Sequence, residues 1–280
     1  MNATRVIRVA HSPDADDAFM FYALATGQVD TEGLSYEHEL QDIETLNRRA
    51  LKGELEVTAV SIHAYAHLTD RYALLPHGAS MGDRYGPRVV ARSRMRADEL
   101  GGKRVAVPGL LTTAYLALQL RSPKAIPVVI PFDRVEAAVL AGDVDAGVII
   151  HEGQLTYADA GLHLVVDLGE WWFEATGLPL PLGGNVVRKD LGADLIAKIS
   201  RHLRESIAFG LKHRAAALDH ALQYARGLER RRADTFVGMY VNEWTLDYGA
   251  RGREAIRELL ARGTSAGLIP RAVNVEFVGE

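Results

Sequence analysis

Cysteine is absent from the 280-residue chain. Its absence excludes disulfide bonds, a thiolate nucleophile and cysteine-ligated metal sites, and it suits a reducing compartment. Long apolar runs are absent too, since no stretch approaches the roughly 18 apolar residues of a membrane span. The first residues lead from Met1 directly into the charged, strand-like segment Arg5–Ala10, which is too short for the apolar region of a signal peptide. We therefore expect a cytoplasmic protein with no membrane partner.

A strong excess of either charge is also lacking. The 32 lysine and arginine residues and the 36 aspartate and glutamate residues leave a net charge of −4, without the basic stripe that binds a phosphate backbone. One basic cluster, Arg226 with Arg230–Arg232, is interrupted by Glu229 and is interpreted as a solvated junction between helices. These features predict that nucleic acid is not a partner.

The composition is that of an ordinary globular protein, with 48% apolar and 24% charged residues. Strand-length apolar runs alternate with helical spacing, which predicts an α/β fold. We predict a larger discontinuous α/β lobe from residues 1–91 and 183–280, with a smaller α/β lobe, residues 92–182, inserted into it. The segment Leu178–Asn185 is interpreted as a rigid crossing between lobes, and two such crossings predict a ligand cleft at the junction.

His151 is the first candidate for chemistry. It follows an apolar strand predicted at Val144–Ile150, and ligands of open α/β sheets bind outside the carboxyl ends of the strands. Imidazole titrates near neutrality, so His151 is a candidate general base; the alternative is a hydrogen-bonded histidine that closes the strand. Glu152 either orients the ring or faces water, because orientation requires the strand to have ended already.

Two further strand ends carry hydroxyl groups. Thr112 and Thr113 follow Pro108-Gly109 at the start of a predicted helix, where free backbone N–H groups suit a carboxylate or phosphate. Plain N-capping is the alternative. Ser61 ends a predicted strand in the same way, with the same two interpretations.

Metal and aromatic sites are also considered. Asp14, Asp16 and Asp17 lack the glycine and the distal glutamate of a calcium loop and are interpreted as helix-capping or ligand-contacting residues. His63 and His67 share a helix face but have no evident third ligand. No metal is therefore predicted. Trp171 and Trp172 either pack within a lobe or form an aromatic wall for a flat ligand.

No Ser-His-Asp order, phosphate-binding loop or dinucleotide fingerprint is present. Several longer motifs, in one order along nearly the whole chain, nevertheless resemble the menaquinone-biosynthesis family of the futalosine pathway, most closely its 1,4-dihydroxy-6-naphthoate synthase branch. These motifs are Ser12-Pro13 with Asp17–Leu24, Asp42–Arg48, Val105–Gly109 with Thr112–Tyr115, Ile149–Glu152 with Thr156-Tyr157, and Val166–Gly169 with Trp171-Trp172 and Thr176–Gly183.

The resemblance implies a two-lobed fold like that of type II periplasmic binding proteins. It also implies a lyase reaction, in which cyclic dehypoxanthinylfutalosine yields 1,4-dihydroxy-6-naphthoate and dihydroxyacetone without a metal or redox cofactor. In this family His151 corresponds to the proton acceptor, and substrate-binding segments are implied at the following positions: Ala59, Val60, Ser61, Thr112, Thr113 and Ala114. Asp17, Glu152 and Trp171 are candidates for supporting positions around these residues.

The chain departs from the family pattern in two places. The family's first loop commonly reads Ser-Pro-Cys-Pro-Asn-Asp-Thr-Phe, whereas this chain has Ser12-Pro-Asp-Ala-Asp-Asp-Ala-Phe19, and Ala59 stands where a lysine is expected. A chorismate dehydratase-like enzyme of the same pathway is the nearest alternative, and His151-Glu152 with Thr156-Tyr157 argues against it. A non-catalytic binding protein for small anions is the alternative outside enzymes. The oligomeric state is left open.

Overall fold

The computed structural model describes residues 5–225 and 228–279. Its strands are β1 (Arg5–His11), β2 (Leu34–Leu40), β3 (Val57–Ser61), β4 (Tyr72–Leu74), β5 (Ser80–Gly82), β6 (Arg88–Ala91), β7 (Arg104–Val107), β8 (Ile126–Val129), β9 (Ala146–Ile149), β10 (His163–Asp167) and β11 (Leu180–Arg188). Its helices are α1 (Ala15–Met20), α2 (Tyr22–Ala25), α3 (Ile43–Lys52), α4 (Ile62–Tyr65), α5 (Thr113–Arg121), α6 (Val135–Ala141), α7 (Leu168–Thr176), α8 (Ala193–Lys212), α9 (Arg214–Ala221), α10 (Arg230–Tyr240), α11 (Glu243–Leu246) and α12 (Gly249–Ser265). Arg226 of the basic cluster lies outside the described residues.

The chain divides into two compact units. Unit 1 contains the described residues of Met1–Ser80, Gly183–Ala250 and Val273–Glu280, and unit 2 contains Met81–Leu182 and Arg251–Ala272. The predicted lobes differ from this division in two stretches, residues 81–91 and 251–272. Both belong to unit 2, for reasons that the packing makes clear.

Hydrogen bonding and side-chain packing explain the two differences. Strand β6 pairs with β9 and β10, so it is an interior strand of the unit 2 sheet. Near the end of α12, a Cβ added to Gly263 would lie 2.7 Å from Ile269 and 3.3 Å from Leu116 of α5. The close approach of these side chains attaches the helix to unit 2.

The sheet of unit 1 has the order β2-β1-β3-β11-β4, and β5 pairs with β11. Strands β1, β2 and β3 are parallel to each other, while β11 runs antiparallel to β3 and β4. The carboxyl ends of the three parallel strands therefore share one edge. A C-terminal segment closes the sheet, because Phe277 bridges to Leu74 of β4 in parallel.

The sheet of unit 2 has the order β10-β6-β9-β7-β8. Strands β7, β8 and β9 are parallel, and β6 is antiparallel to β9 and β10. This arrangement places the start of β6 beside the ends of β9 and β10. Buried Val135 and Val139 of α6 pack over the β9 backbone, since a Cβ added to Gly147 would lie 2.8 Å from Val139.

Local signals explain most element boundaries. Helix α3 begins where the Asp42 side chain accepts a hydrogen bond from Thr45 N, and it ends at Gly53, whose φ of 72° is left-handed. The segment Leu178–Asn185 is not simply a crossing, because most of it belongs to β11 and pairs with β3. Within the described residues, no helix combines the length and apolar character needed to cross a membrane.

Candidate functional site

His151 lies just beyond the end of β9, at the edge of the unit 2 sheet where β6 begins. Its backbone is extended, and it caps the short 3-10 turn Glu152–Leu155. The Gly153 backbone N–H donates a hydrogen bond of 3.0 Å to Nδ1 of the ring. The strand has ended before His151, so its side chain is free of the alternation that governs β9.

Two carboxylates flank the His151 ring. Oε1 of Glu136, in the first turn of α6, lies 3.9 Å from Nε2, and Oε2 of Glu152 lies 4.0 Å from Nδ1. The His151 side chain is 14% exposed and the Nε2 atom itself is buried. Phe132 meets the ring edge-on, with 5.7 Å between ring centroids. The imidazole therefore has one aromatic neighbour and two acidic neighbours.

The contact with Gly153 fixes the tautomer of the neutral ring. A backbone N–H can only donate, so Nδ1 carries a lone pair and the single ring proton is on Nε2. Burial raises the pKa of Glu136, which is the group facing that proton. The site thus holds one imidazole and one partly desolvated carboxyl group, which are close enough for their charges to interact.

Arg88 of β6 and Asp167 of β10 are partners in the sheet register, and they form an ion pair at the same sheet edge. Arg88 donates from Nε to Asp167 at 3.3 Å and from a terminal nitrogen to the Gln154 carbonyl at 2.5 Å. Asp167 also accepts the N–H groups of Gly169 and Glu170 at the start of α7. Burial raises the pKa of Asp167, while Arg88 and the two amides oppose that rise. Arg88 thereby holds the turn that carries His151.

Thr112 and Thr113 lie at the start of α5, and both are buried. The Thr112 hydroxyl donates to the Gly109 carbonyl at 2.8 Å and accepts Tyr115 N at 3.2 Å, so it caps the helix as the alternative interpretation proposed. Thr113 donates to the Leu182 carbonyl at 2.6 Å. Ala114 is 4% exposed. The hydroxyls tie this loop to neighbouring backbone.

The two tryptophans of α7 differ in their surroundings. Trp172 is fully buried and donates from Nε1 to the Pro179 carbonyl at 3.1 Å, which makes it a packing residue of unit 2. Trp171 is half-buried and meets Trp172 edge-on at 6.1 Å. Of the two tryptophans, only Trp171 is exposed enough to form an aromatic wall for a ligand.

In unit 1, Ser61 ends β3 at the edge shared by the carboxyl ends of the parallel strands. Asn47 of α3 is fully buried and clamps it, accepting Ser61 N at 2.9 Å and donating to Ser61 Oγ at 3.1 Å. The Ser61 hydroxyl makes no side-chain cap hydrogen bond to α4. Asn47 is a residue that sequence reasoning quoted in a motif without giving it a role.

Ala59 and Val60 precede Ser61 on β3. The Val60 side chain is fully buried, and Ala59 is 8% exposed and packs with Ala10, Leu46 and Leu55. Ala59 also pairs with Asn185 of β11. Contacts of Val60 with a ligand are consequently restricted to its backbone.

The loop after β1 is organised by Asp17. Asp17 Oδ2 accepts Ser12 N at 2.7 Å, and Ser12 Oγ donates to Asp14 at 2.7 Å. Burial raises the pKa of Asp17 to about 7, against the Ser12 N–H, which lowers it. His11 stacks on Phe21 at 4.5 Å, and its pKa falls to about 3 through burial and the neighbouring His38.

Among the described residues, the candidate metal ligands do not form a cluster. In the part of the chain that the structure describes, no group of three or more His, Asp or Glu side chains is close enough to hold an ion. His63 and His67 lie 6.0 Å apart between ring centroids. The Asp14–Asp17 loop is instead organised by hydrogen bonds to Ser12.

Comparisons with known proteins cover nearly the whole chain. The model of a family described as menaquinone biosynthesis matches residues 7–265. Two curated proteins, each named 1,4-dihydroxy-6-naphthoate synthase, are similar: one from Thermus thermophilus is 45% identical, covering 97% of this chain and 99% of its own. The other, from Streptomyces coelicolor, is 38% identical over 94% of this chain and 95% of its own.

Solved structures agree on the fold. A crystal structure of an Archaeoglobus fulgidus protein is 51% identical, with a TM-score of 0.91 and coverage of 96% of this chain and 100% of that one. The alkanesulfonate-binding protein SsuA of Xanthomonas axonopodis, bound to MOPS, has a TM-score of 0.70 at 15% identity, covering 96% of both chains. The predicted α/β fold of the periplasmic-binding-protein type is thereby confirmed.

Proposed function

The chain belongs to the menaquinone biosynthesis family, and on that premise we propose that it is a 1,4-dihydroxy-6-naphthoate synthase. The observation that carries the proposal is the 45% identity to a protein of that name over 97% of this chain. The proposed reaction is a lyase reaction that splits cyclic dehypoxanthinylfutalosine into 1,4-dihydroxy-6-naphthoate and dihydroxyacetone. A cytoplasmic location, with neither nucleic acid nor membrane as a partner, stays a prediction from the sequence.

His151 is the proposed general base. A histidine that acts as a general base must present a nitrogen lone pair that a substrate proton can reach. The ring is 14% exposed and carries its lone pair on Nδ1, which now accepts Gly153 N–H. We propose that substrate displaces that amide and that Nδ1 then takes a proton from carbon. The electrons of the C–H bond expel the three-carbon fragment, which takes the proton back and leaves as dihydroxyacetone, and aromatisation of the other product makes the step favourable.

The proposed substrate-binding residues support this role unequally. Thr112 and Thr113 hold the loop before α5 by donating their hydroxyls to backbone carbonyls, and the Thr112 N–H donates to the Gly109 carbonyl at 3.3 Å. The backbone N–H groups that follow Thr112 at the start of α5 are therefore the proposed donors to substrate. Ser61 keeps a clamped hydroxyl and Ala114 presents only a methyl group. We propose that these segments bind substrate mainly through backbone groups, with Ser61 as the one side-chain donor.

The alternatives gain no specific support. Likeness to solute-binding proteins at 15% identity shows the fold alone and is silent on binding without turnover. A chorismate dehydratase-like activity has no observation of its own in the site. Neither alternative is therefore preferred.

The test is incubation of the purified protein with cyclic dehypoxanthinylfutalosine, with product identified by chromatography and mass spectrometry. We expect 1,4-dihydroxy-6-naphthoate from the unchanged protein and a loss on the order of a hundredfold or more in His151→Ala. Glu174→Gln alters an exposed residue of α7 and serves as the control variant, purified and assayed in the same way. Failure of the folded protein to form product, with chorismate tested in parallel, would overturn the assignment.

A further inference from the structure

Glu136 faces His151 from a different element of unit 2. It lies in the first turn of α6, a helix anchored by buried Val135 and Val139, and its Oε1 is 3.9 Å from Nε2 of His151. Among the described residues, His151 is the ionisable group within 4 Å of this carboxylate. The distance is too long for a hydrogen bond and short enough for strong charge interaction.

Gly153 makes the approach of the two groups feasible. A Cβ added to Gly153 would overlap the Glu136 carboxylate and lie 2.8 Å from Cε1 of His151. Gly153 does not have a positive φ, so glycine is not required there by the backbone. The missing side chain therefore leaves space that the carboxylate occupies beside the imidazole.

The two ring nitrogens of His151 have different roles in this geometry. Nε2 is buried and faces Glu136, and it carries the proton of the neutral ring because Nδ1 accepts Gly153 N–H. A proton taken up by the ring must therefore enter at Nδ1. The cation then formed has a carboxylate oxygen 3.9 Å from Nε2, and this negative charge stabilises it.

We propose that Glu136 is a positioning residue for His151, whose negative charge beside Nε2 stabilises the imidazolium that forms when Nδ1 accepts the substrate proton. The role rests on the proposed function for its chemistry, but not for its geometry. Before reaction the imidazole is neutral and the Glu136 carboxylate lies 3.9 Å from Nε2. After proton transfer from carbon to Nδ1, the imidazolium and the Glu136 carboxylate form an ion pair, and the imidazolium then returns the proton from Nδ1 to the three-carbon fragment, which leaves as dihydroxyacetone.

Glu152 is the competing carboxylate, and the geometry disfavours it. Its Oε2 is 4.0 Å from Nδ1, the nitrogen that must be open to receive a proton. Partnership with Nδ1 would also compete with the hydrogen bond from Gly153 N. Glu136 lies near Nε2, the opposite ring nitrogen, and so does not compete with the hydrogen bond from Gly153 N.

The first experiment compares the pH dependence of kcat/KM in the unchanged enzyme, Glu136→Gln and Glu136→Asp. Removing the carboxylate destabilises the imidazolium, so in Glu136→Gln we expect the acid limb of the profile to move down by about one pH unit and kcat to fall on the order of tenfold. KM should change far less. Glu136→Asp should recover part of the loss, whereas a merely structural role would give an unshifted profile.

Gly153→Ala provides a second variant, which crowds the carboxylate without deleting it and also places a Cβ 2.8 Å from Cε1 of the His151 ring. We expect it to shift the acid limb in the same direction as Glu136→Gln. An acid limb that stays in place in both Gly153→Ala and Glu136→Gln would overturn the proposal.

A measurement without substrate separates this proposal from the proposed function. In protein with ¹⁵N-labelled histidine, the ring signals missing from His151→Ala belong to His151. We expect them to report a proton on Nε2, and their titration midpoint to lie about one pH unit lower in Glu136→Gln. An unmoved midpoint rejects the Glu136 role even in an active enzyme, while a shifted one supports it even if the substrate is different.

Discussion

At the scale of single residues, Asp17 controls part of the pH response of unit 1. Burial raises its pKa from a model-compound value of 3.8 to about 7. Between these pH values the folded protein retains a proton that the unfolded chain releases. The stability that this group contributes is thus complete below the unfolded pKa and is lost as pH rises through the folded one.

We expect Asp17→Asn to remove this dependence, because an amide oxygen can still accept Ser12 N without titrating. Urea unfolding of the unchanged protein should lose about 2 to 4 kcal/mol of stability relative to Asp17→Asn between pH 4.5 and 7.5. The control is Glu37→Gln, which removes an exposed carboxylate of β2. Parallel stability curves for Asp17→Asn and the unchanged protein would show that Asp17 is ionised throughout.

Sequence reasoning located some site residues and missed others for a physical reason. His151 was found because the end of a buried strand is visible in the local pattern of apolar residues. Glu136 and Asn47 were given no role, since each acts on a residue of another element and no local pattern encodes that approach. The role of His151 as base stays a prediction.

At the scale of elements, two glycines set how closely α7 lies against the loop before β6. A Cβ on Gly169 would overlap the Tyr85 carbonyl, and a Cβ on Gly86 would lie 2.9 Å from Gly169 N. Both obstacles are backbone atoms, which cannot rotate away as a side chain does. The contact also positions Asp167, whose carboxylate caps α7 and pairs with Arg88.

Gly169→Ala is therefore expected to be strongly destabilising, by about 3 kcal/mol or more. Gly101→Ala is the matched control, because the nearest atom to its Cβ would be Lys124 Cβ at 3.7 Å, an ordinary contact. Thermal unfolding followed by circular dichroism measures both variants. Equal transition temperatures for the two would mean that the α7 contact relaxes without cost.

The elements were predictable where their signals are local. Helix α3 carries local signals at both ends, since Asp42 caps its start and the left-handed Gly53 ends it. Strand β11 was not predicted, since Pro179, Pro181 and Gly183-Gly184 are typical of loops. Its pairing with β3 and β4, which are distant in sequence, supplies the strand.

At the scale of the whole molecule, the sequence indicated the α/β fold but not the full division of the chain. The amphipathic pattern of α12 predicts a buried face without saying which core receives it. Residues 251–272 pack in unit 2, and residues 273–280 belong to unit 1 again. Such a double return depends on three-dimensional packing that periodicity does not encode.

Ligand binding should raise the stability of the whole protein even when turnover is lost. His151→Ala removes the proposed base and leaves the backbone donors before α5 in place. We expect saturating cyclic dehypoxanthinylfutalosine to raise Tm of His151→Ala by several degrees, as binding at 100 times Kd contributes about 2.7 kcal/mol. An unchanged Tm would assign His151 to binding rather than to proton transfer.

The return of the chain to β4 has a consequence for synthesis on the ribosome. Leu74 exchanges backbone hydrogen bonds with Glu276 and Val278, and Phe277 is 1% exposed beside Tyr248. Domains tend to fold as their residues emerge from the ribosome. The edge of β4, however, is covered only by residues near position 277, which are among the last to be made. This edge of β4 therefore stays unpaired in nascent unit 1 until residues 276–278 have been made.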